Sequence, residues 1–283
     1  MKKRRRLAGL ALGMWAAAAL WIGTGNGVLQ AQAAQADLYR APAYGTRASH
    51  EQKQASYEQI QEVSEALQPL ADDTLSRTAS HNVSLSNYSD PDGMGLVYES
   101  EGSGVILAMD EQMVYIATAS HCLKHAHTEI TFPDGTVSQA VAVYRNPAKD
   151  VGFAVVYTSE LSGQTLSSIL PAAGANAQEA GKLRGDVLTA VSSSDGPNAS
   201  AYIGVLDAYS VSYPNNPSQY VLQFFSEASY GSSGGGVYTT EGIWVGSISG
   251  GDTYGTCWAV PYSDILAEFQ YWQTLHAAQM SGE

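Results

Sequence analysis

Charge is scarce in this sequence. Only 14% of the 283 residues are Asp, Glu, Lys or Arg, about half the usual share. Positive charge is scarcer still. Five of the 14 basic residues stand at Lys2, Lys3, Arg4, Arg5 and Arg6, so nine are left to face 27 acids, a formal charge of −18. A surface of that sign repels phosphate backbones, which excludes DNA or RNA as a partner. After Ile22 there is no second long apolar run, and no internal repeat at solenoid periods. What is present is 45% hydrophobic residues, 28 Gly and 17 Tyr. That is neither a disordered acidic tail nor a coiled coil. It is the composition of a strand-rich globular protein, long enough for one large domain or two small ones.

The N-terminus accounts for the misplaced basic charge. Lys2–Arg6 is a positive n-region, Leu7–Ile22 is an apolar run, and Ala31-Gln32-Ala33 and Ala34-Gln35-Ala36 are small-residue cleavage sites. Together they predict an export signal over residues 1–33. The alternative is an uncleaved anchor that tethers the chain to the membrane, although 16 residues are few for a span of about 20. Either way the rest of the chain is delivered outside the cytoplasm, secreted or held at the cell surface.

Residues 34–83 differ in texture from the remainder of the chain. Ser49–Leu75 carries Ile60, Val63, Leu67 and Leu70 on one stripe, which predicts an amphipathic helix. It reads as an extension docked on the main domain, or as a pro-segment or spacer. From Ser84 onward the period changes. Short apolar segments are expected as strands at 104–109, 114–119, 129–132, 139–144, 151–157, 187–191, 201–206, 220–225, 236–238, 243–248 and 256–260. A closing helix places Ile265, Phe269, Trp272 and His276 on one face, with Ser263 or Asp264 as its cap. Residues 84–283 thus predict an all-β domain of barrel or sandwich type with a C-terminal helix.

Three local signals carry chemistry. Thr118-Ala119-Ser120-His121-Cys122 ends an apolar strand with a histidine. Lys149-Asp150-Val151-Gly152-Phe153 places a carboxylate at the mouth of a buried strand, where it must be paired. Tyr230-Gly231-Ser232-Ser233-Gly234-Gly235 exposes a serine between glycines and frees the amides of Gly231 and Ser233 to face one point. Each alone is weak, but the combination is specific.

In these motifs the sequence resembles the trypsin/chymotrypsin-like serine peptidases, and is similar above all to their bacterial HtrA/Deg-like branch. Gly102-Ser103-Gly104-Val105-Ile106, Phe132-Pro133-Asp134-Gly135 and Cys257-Trp258-Ala259-Val260-Pro261 extend the likeness. The resemblance implies two antiparallel β-barrels with the active site in the cleft between them. It also implies hydrolysis of protein or peptide substrates, with Ser233 as nucleophile, His121 as base and Asp150 as its orienting partner. The amides of Gly231 and Ser233 would receive the oxyanion. No metal or organic cofactor is needed. His125 lies four residues after His121, but no carboxylate completes a zinc signature.

Departures from the family pattern set further expectations. The usual cysteine partner of Cys122 is replaced by Glu99-Ser100-Glu101, so Cys122 and Cys257 are expected as free thiols. Eighteen residues follow Ile265, so a PDZ module on this chain is not expected, and the oligomeric state stays open. Ser232 stands where trypsin-like zymogens carry an activating aspartate. Glu227, six positions before Ser233, falls at the base of the family's specificity pocket, with Ser249, Gly250 and Gly251 as its open wall. A carboxylate there favours Arg or Lys, whereas the HtrA-like alignment leaves Glu227 in solvent and favours small aliphatic side chains. The rival to an enzyme is a catalytically idle protease-like domain used for binding at the cell surface. Asn82, Asn87 and Asn198 match the glycosylation pattern, which matters only in a eukaryotic secretory pathway.

Overall fold

The computed structural model describes residues 50–90, 93, 95–193 and 196–281. The apolar segment Leu7–Ile22 and both Ala-x-Ala sites lie outside them. Among the described residues no helix is long and apolar enough to cross a membrane.

Among the described residues, thirteen strands form two curled antiparallel sheets. The first contains β1 (Asn82–Ser89), β2 (Val97–Met109), β3 (Met113–Thr118), β4 (His127–Thr131), β5 (Val137–Gln139), β6 (Ala142–Asn146) and β7 (Val151–Tyr157). Their order is β5-β4-β1-β2-β3-β7-β6, so β5 and β6 are the two edges. Those edges are halves of one bent segment. The Ala140 amide donates to Thr128 on one side, and the next amide, Val141, donates to Val155 on the other. The single strand expected at 139–144 is therefore broken where it passes from one end of the sheet to the other. That bend curls the open sheet into a half-barrel, the first of the two barrels.

The second sheet is a closed six-stranded barrel of β8 (Val187–Ser192), β9 (Ser200–Tyr213), β10 (Asn216–Ser226), β11 (Gly236–Thr239), β12 (Trp244–Gly251) and β13 (Thr256–Pro261). Closure leaves it no edge to protect.

Strand alternation builds three cores rather than two. In β7, Ala154 and Val156 point into the first barrel, while Val151, Phe153 and Val155 point out toward the second. In β8, Leu188 and Ala190 fill the second barrel while Val187 and Val191 face the seam. Both faces of these strands are buried, which explains their continuous apolar runs. The seam is sealed by two helices, α1 (His50–Thr78) and α3 (Tyr262–Ser281); a short helix α2 (Gly163–Ser168) lies between the barrels in sequence.

Helix α1 docks on β8 and β9 of the second barrel. Its buried line is Ser64, Ala71, Thr74 and Thr78, with Leu67 and Leu70 packed beside it on the seam core. Two of its polar residues satisfy their hydroxyls inside the helix, Thr74 by Leu70 O and Thr78 by Thr74 O, whereas the Ser64 hydroxyl has no partner among the described residues. On α3, Ile265, Phe269 and Trp272 are buried as expected, and Trp272 stacks on Phe153 at 5.5 Å between centroids. The side chain of His276 lies outside the described residues. The helix is capped from elsewhere, since the Ser263 amide donates to Asn176 Oδ1.

Strand β1 is absent from the sequence expectation because only Val83 and Leu85 give it an apolar core face, and its other buried residues are polar. Asn82, Ser84 and Asn87 are all buried. Asn82 bridges Thr78 O and the buried hydroxyl of Tyr238, so neither Asn82 nor Asn87 is open to a glycan. Cys122 and Cys257 are buried and free, one inside each barrel.

Candidate active site

His121 stands on a 3-10 turn, Ser120–Leu123, directly after β3. Cys122 and Leu123 plunge into the first barrel and leave the imidazole at the rim. Asp150 immediately precedes β7. Because β3 pairs with β7 with Thr118 opposite Gly152, two residues 29 positions apart become neighbours across a ladder. The Asp150 carboxylate lies 3.0 Å from His121 Nδ1 through either oxygen. It also accepts from the His121 amide at 3.1 Å and from Ser249 Oγ at 2.5 Å.

A carboxylate can only accept, so Nδ1 is the protonated nitrogen of the neutral ring and Nε2 keeps the free lone pair. The hydrogen bond to Asp150, reinforced by the neighbouring Cys122 sulfur, raises the imidazole well above its ordinary 6.5, and partial burial opposes this. Asp150 is the one described non-glycine residue with positive φ, at 50°. That conformation costs on the order of 1–3 kcal/mol, so the turn must be held by its surroundings.

Ser233 belongs to the second barrel, on the loop from β10 to β11. Ser232 is turned inward and is 2% exposed, whereas Ser233 is half-buried at the surface of the cleft. Positive φ at Gly231 and Gly234, 83° at each, makes that reversal. At Gly234 nothing larger fits, since a Cβ would lie 2.1 Å from Thr118 Oγ1 and 2.2 Å from Ser103 O. The loop is fastened to the other barrel as well as its own. Ser103 N donates to Ser233 O at 2.9 Å and Ser103 Oγ to Gly231 O at 2.9 Å. Gly234 N donates to Ile248 O at 2.7 Å. Among the described residues the amides of Gly231 and Ser233 donate to no protein group.

His121, Asp150 and Ser233 line one cleft of about 910 Å³. Glu227, Ser249, Gly250 and Gly251 line it too, so the expected pocket residues are gathered in the same cleft as the three chemical groups. Gly231 sits at the loop's turn beside Tyr230, a fully exposed residue on the cleft wall. Glu227 follows β10, is half-buried, and has no hydrogen-bond partner among the described residues. Asp150, Glu227 and Asp252 face this cleft, and among the described residues no Lys or Arg lines it. His125 and His127 lie off the cleft wall, and the His127 ring pairs with Gln139.

Some of the machinery is invisible in the sequence. Ser249, expected as wall, spends its hydroxyl on Asp150. Gln219 Nε2 reaches Lys149 O at 2.5 Å and Asn216 Nδ2 reaches Ala148 O at 2.6 Å, so β10 grips the turn before Asp150. Contacts across 70 or 99 positions leave no local pattern to read.

The family described as trypsin-like peptidase domain matches residues 102–246, a span that holds His121, Asp150 and Ser233. A search of curated proteins finds no match.

Proposed function

The chain belongs to the trypsin-like peptidase family, and from that premise we propose that it is an exported serine endopeptidase with His121, Asp150 and Ser233 as its triad. The reading rests above all on the His121 Nδ1–Asp150 contact at 3.0 Å in the cleft that Ser233 enters from the opposite barrel. Ser233 Oγ attacks the peptide carbonyl as Nε2 of His121 takes its proton. The C–N bond breaks as the same proton passes to the leaving amine, which leaves an acyl-serine. Water then repeats the sequence, giving its proton to Nε2 and releasing the acid. Asp150 fixes the tautomer and stabilises the imidazolium. The unengaged amides of Gly231 and Ser233 receive the developing oxyanion, each worth about 3 kcal/mol.

Ser232 is neutral and its buried hydroxyl has no partner among the described residues, so no ion pair with a newly cut N-terminus is available to it. Helix α1 covers seam residues of the second barrel, which favours residues 34–83 as a retained extension rather than a removed one. Export rests on the Lys2–Ile22 pattern. For the substrate, a half-buried carboxylate without a partner, in a cleft that no Lys or Arg lines, is complementary to a cation. Cleavage after Arg or Lys is therefore the specificity we assign to Glu227.

The test is hydrolysis of an unbiased peptide library with product sequencing. Cleavage after Arg or Lys, abolished by Ser233→Ala and redirected by Glu227→Gln, is expected. Full activity in Ser233→Ala would sink the triad. Cuts after Val, Ala or Leu that ignore Glu227→Gln would remove Glu227 from the pocket and leave the triad standing.

A further inference from the structure

Glu268 is a carboxylate buried to 2% exposure on α3, outside the cleft. Such a group is costly unless its lone pairs are occupied. Here they are. The Tyr144 hydroxyl and Asn146 Nδ2 (2.8 Å) donate to Oε1, and Lys149 Nζ donates to Oε2 at 2.8 Å. Burial would raise the carboxyl, but these donors outweigh it and hold it below the usual range. Asp264 and Tyr271 on the same helix are the other titratable groups nearby.

All three donors belong to one short stretch, β6 and the turn that ends at Asp150. Asn146 also shapes that turn, since its Oδ1 accepts from the Ala148 amide at 3.1 Å and its carbonyl from the Lys149 amide at 3.2 Å. The next residue is Asp150 itself, in its positive-φ conformation. A simple core contact would not require a buried anion. A bridge to both ends of a strained turn fits one.

We infer that Glu268 is a positioning residue, which through Asn146 and Lys149 fixes the turn that aims the Asp150 carboxylate at His121. This rests on the triad proposed above. Exchange of the carboxylate for an amide leaves Lys149 half-exposed and solvated, so Glu268→Gln is expected to fold. Its kcat should fall about 10- to 100-fold with KM within about twofold, as small misplacements at a catalytic group do. The decisive readout is the acid limb of the pH–kcat profile. That limb reports how well Asp150 faces Nδ1, and in Glu268→Gln it should move down toward 6.5, the ordinary imidazole value. A merely structural role would lower melting temperature and active fraction but leave the limb in place. That result would overturn the inference. Should Glu268→Gln not fold, the double variant Glu268→Gln/Lys149→Gln, which leaves no unpaired charge, carries the same readout. Both are run beside Ser233→Ala. An unmoved limb in an enzyme silenced by Ser233→Ala refutes only the positioning role, whereas activity surviving Ser233→Ala refutes the triad.

Discussion

In the first barrel His121 and Asp150 meet because two adjacent strands end together, whereas in the second barrel Ser233 sits on a glycine-rich loop whose path no ladder fixes. Neither arrangement stands on its own barrel. Asp150 is held from the second barrel by Ser249, and the turn before it by Gln219 and Asn216. The Ser233 loop is gripped from the first by Ser103, with Cys122 Sγ 3.5 Å from Ser233 O. The difference teaches that the groups proposed to move protons need correct strand register, while the proposed nucleophile needs space and positive φ. Each is locked by the other half of the molecule.

The largest effect is expected where the loop has least freedom. Gly234→Ala combines a positive φ with a Cβ forced against Ser103 and Thr118 of the opposite barrel. It should lose more than about 100-fold in kcat/KM and about 3 kcal/mol of stability, read by peptide hydrolysis and urea unfolding. Wild-type behaviour would mean the barrels are not fastened at this point.

Single hydroxyls should show intermediate effects and separate the two locks. Ser249→Ala and Ser103→Ala are each expected to cost about 10-fold in kcat, the scale of one lost hydrogen bond. Only Ser249→Ala should also lower the acid limb, because of the two hydroxyls only that of Ser249 holds Asp150. Identical pH profiles for the two variants would erase the distinction between the barrels.

The smallest effect is in the pH dependence of the native protein. Imidazolium cannot act as base, so activity rises with pH through a value above 6.5, later than an unpartnered histidine would allow. Stability runs the other way. A histidine raised by its partner contributes fully below 6.5 and loses that contribution as pH climbs through the raised value. Melting temperature followed over the activity limb should fall slightly as turnover rises. A parallel increase of both would contradict the pairing.

Much of this was legible in the sequence, and the reasons are local. Continuous apolar runs marked β7 and β8, glycines marked the Ser233 loop, and the position of His121 after an apolar strand marked the first barrel's rim. Strand β1 escaped because Asn82, Ser84 and Asn87 are buried yet polar, which leaves only Val83 and Leu85 as its core signal. The break at Ala140–Val141 escaped because both halves have strand-like residues, and only the change of hydrogen-bond partner bends them apart. Glu268 escaped for a different reason. On a helix face one acid looks like the next until its donors from β6 are in place, and nothing near Asp150 in the sequence announces that the turn needs holding.

The central claim, an activated Ser233 assembled between the barrels, is tested most directly by a fluorophosphonate probe followed by mapping of the modified residue. Such probes need an activated serine rather than a merely exposed one. The account predicts labelling at Ser233, retained in Ser232→Ala and lost in His121→Ala. No labelling, labelling at Ser232, or labelling of Ser233 that is indifferent to His121→Ala would contradict it.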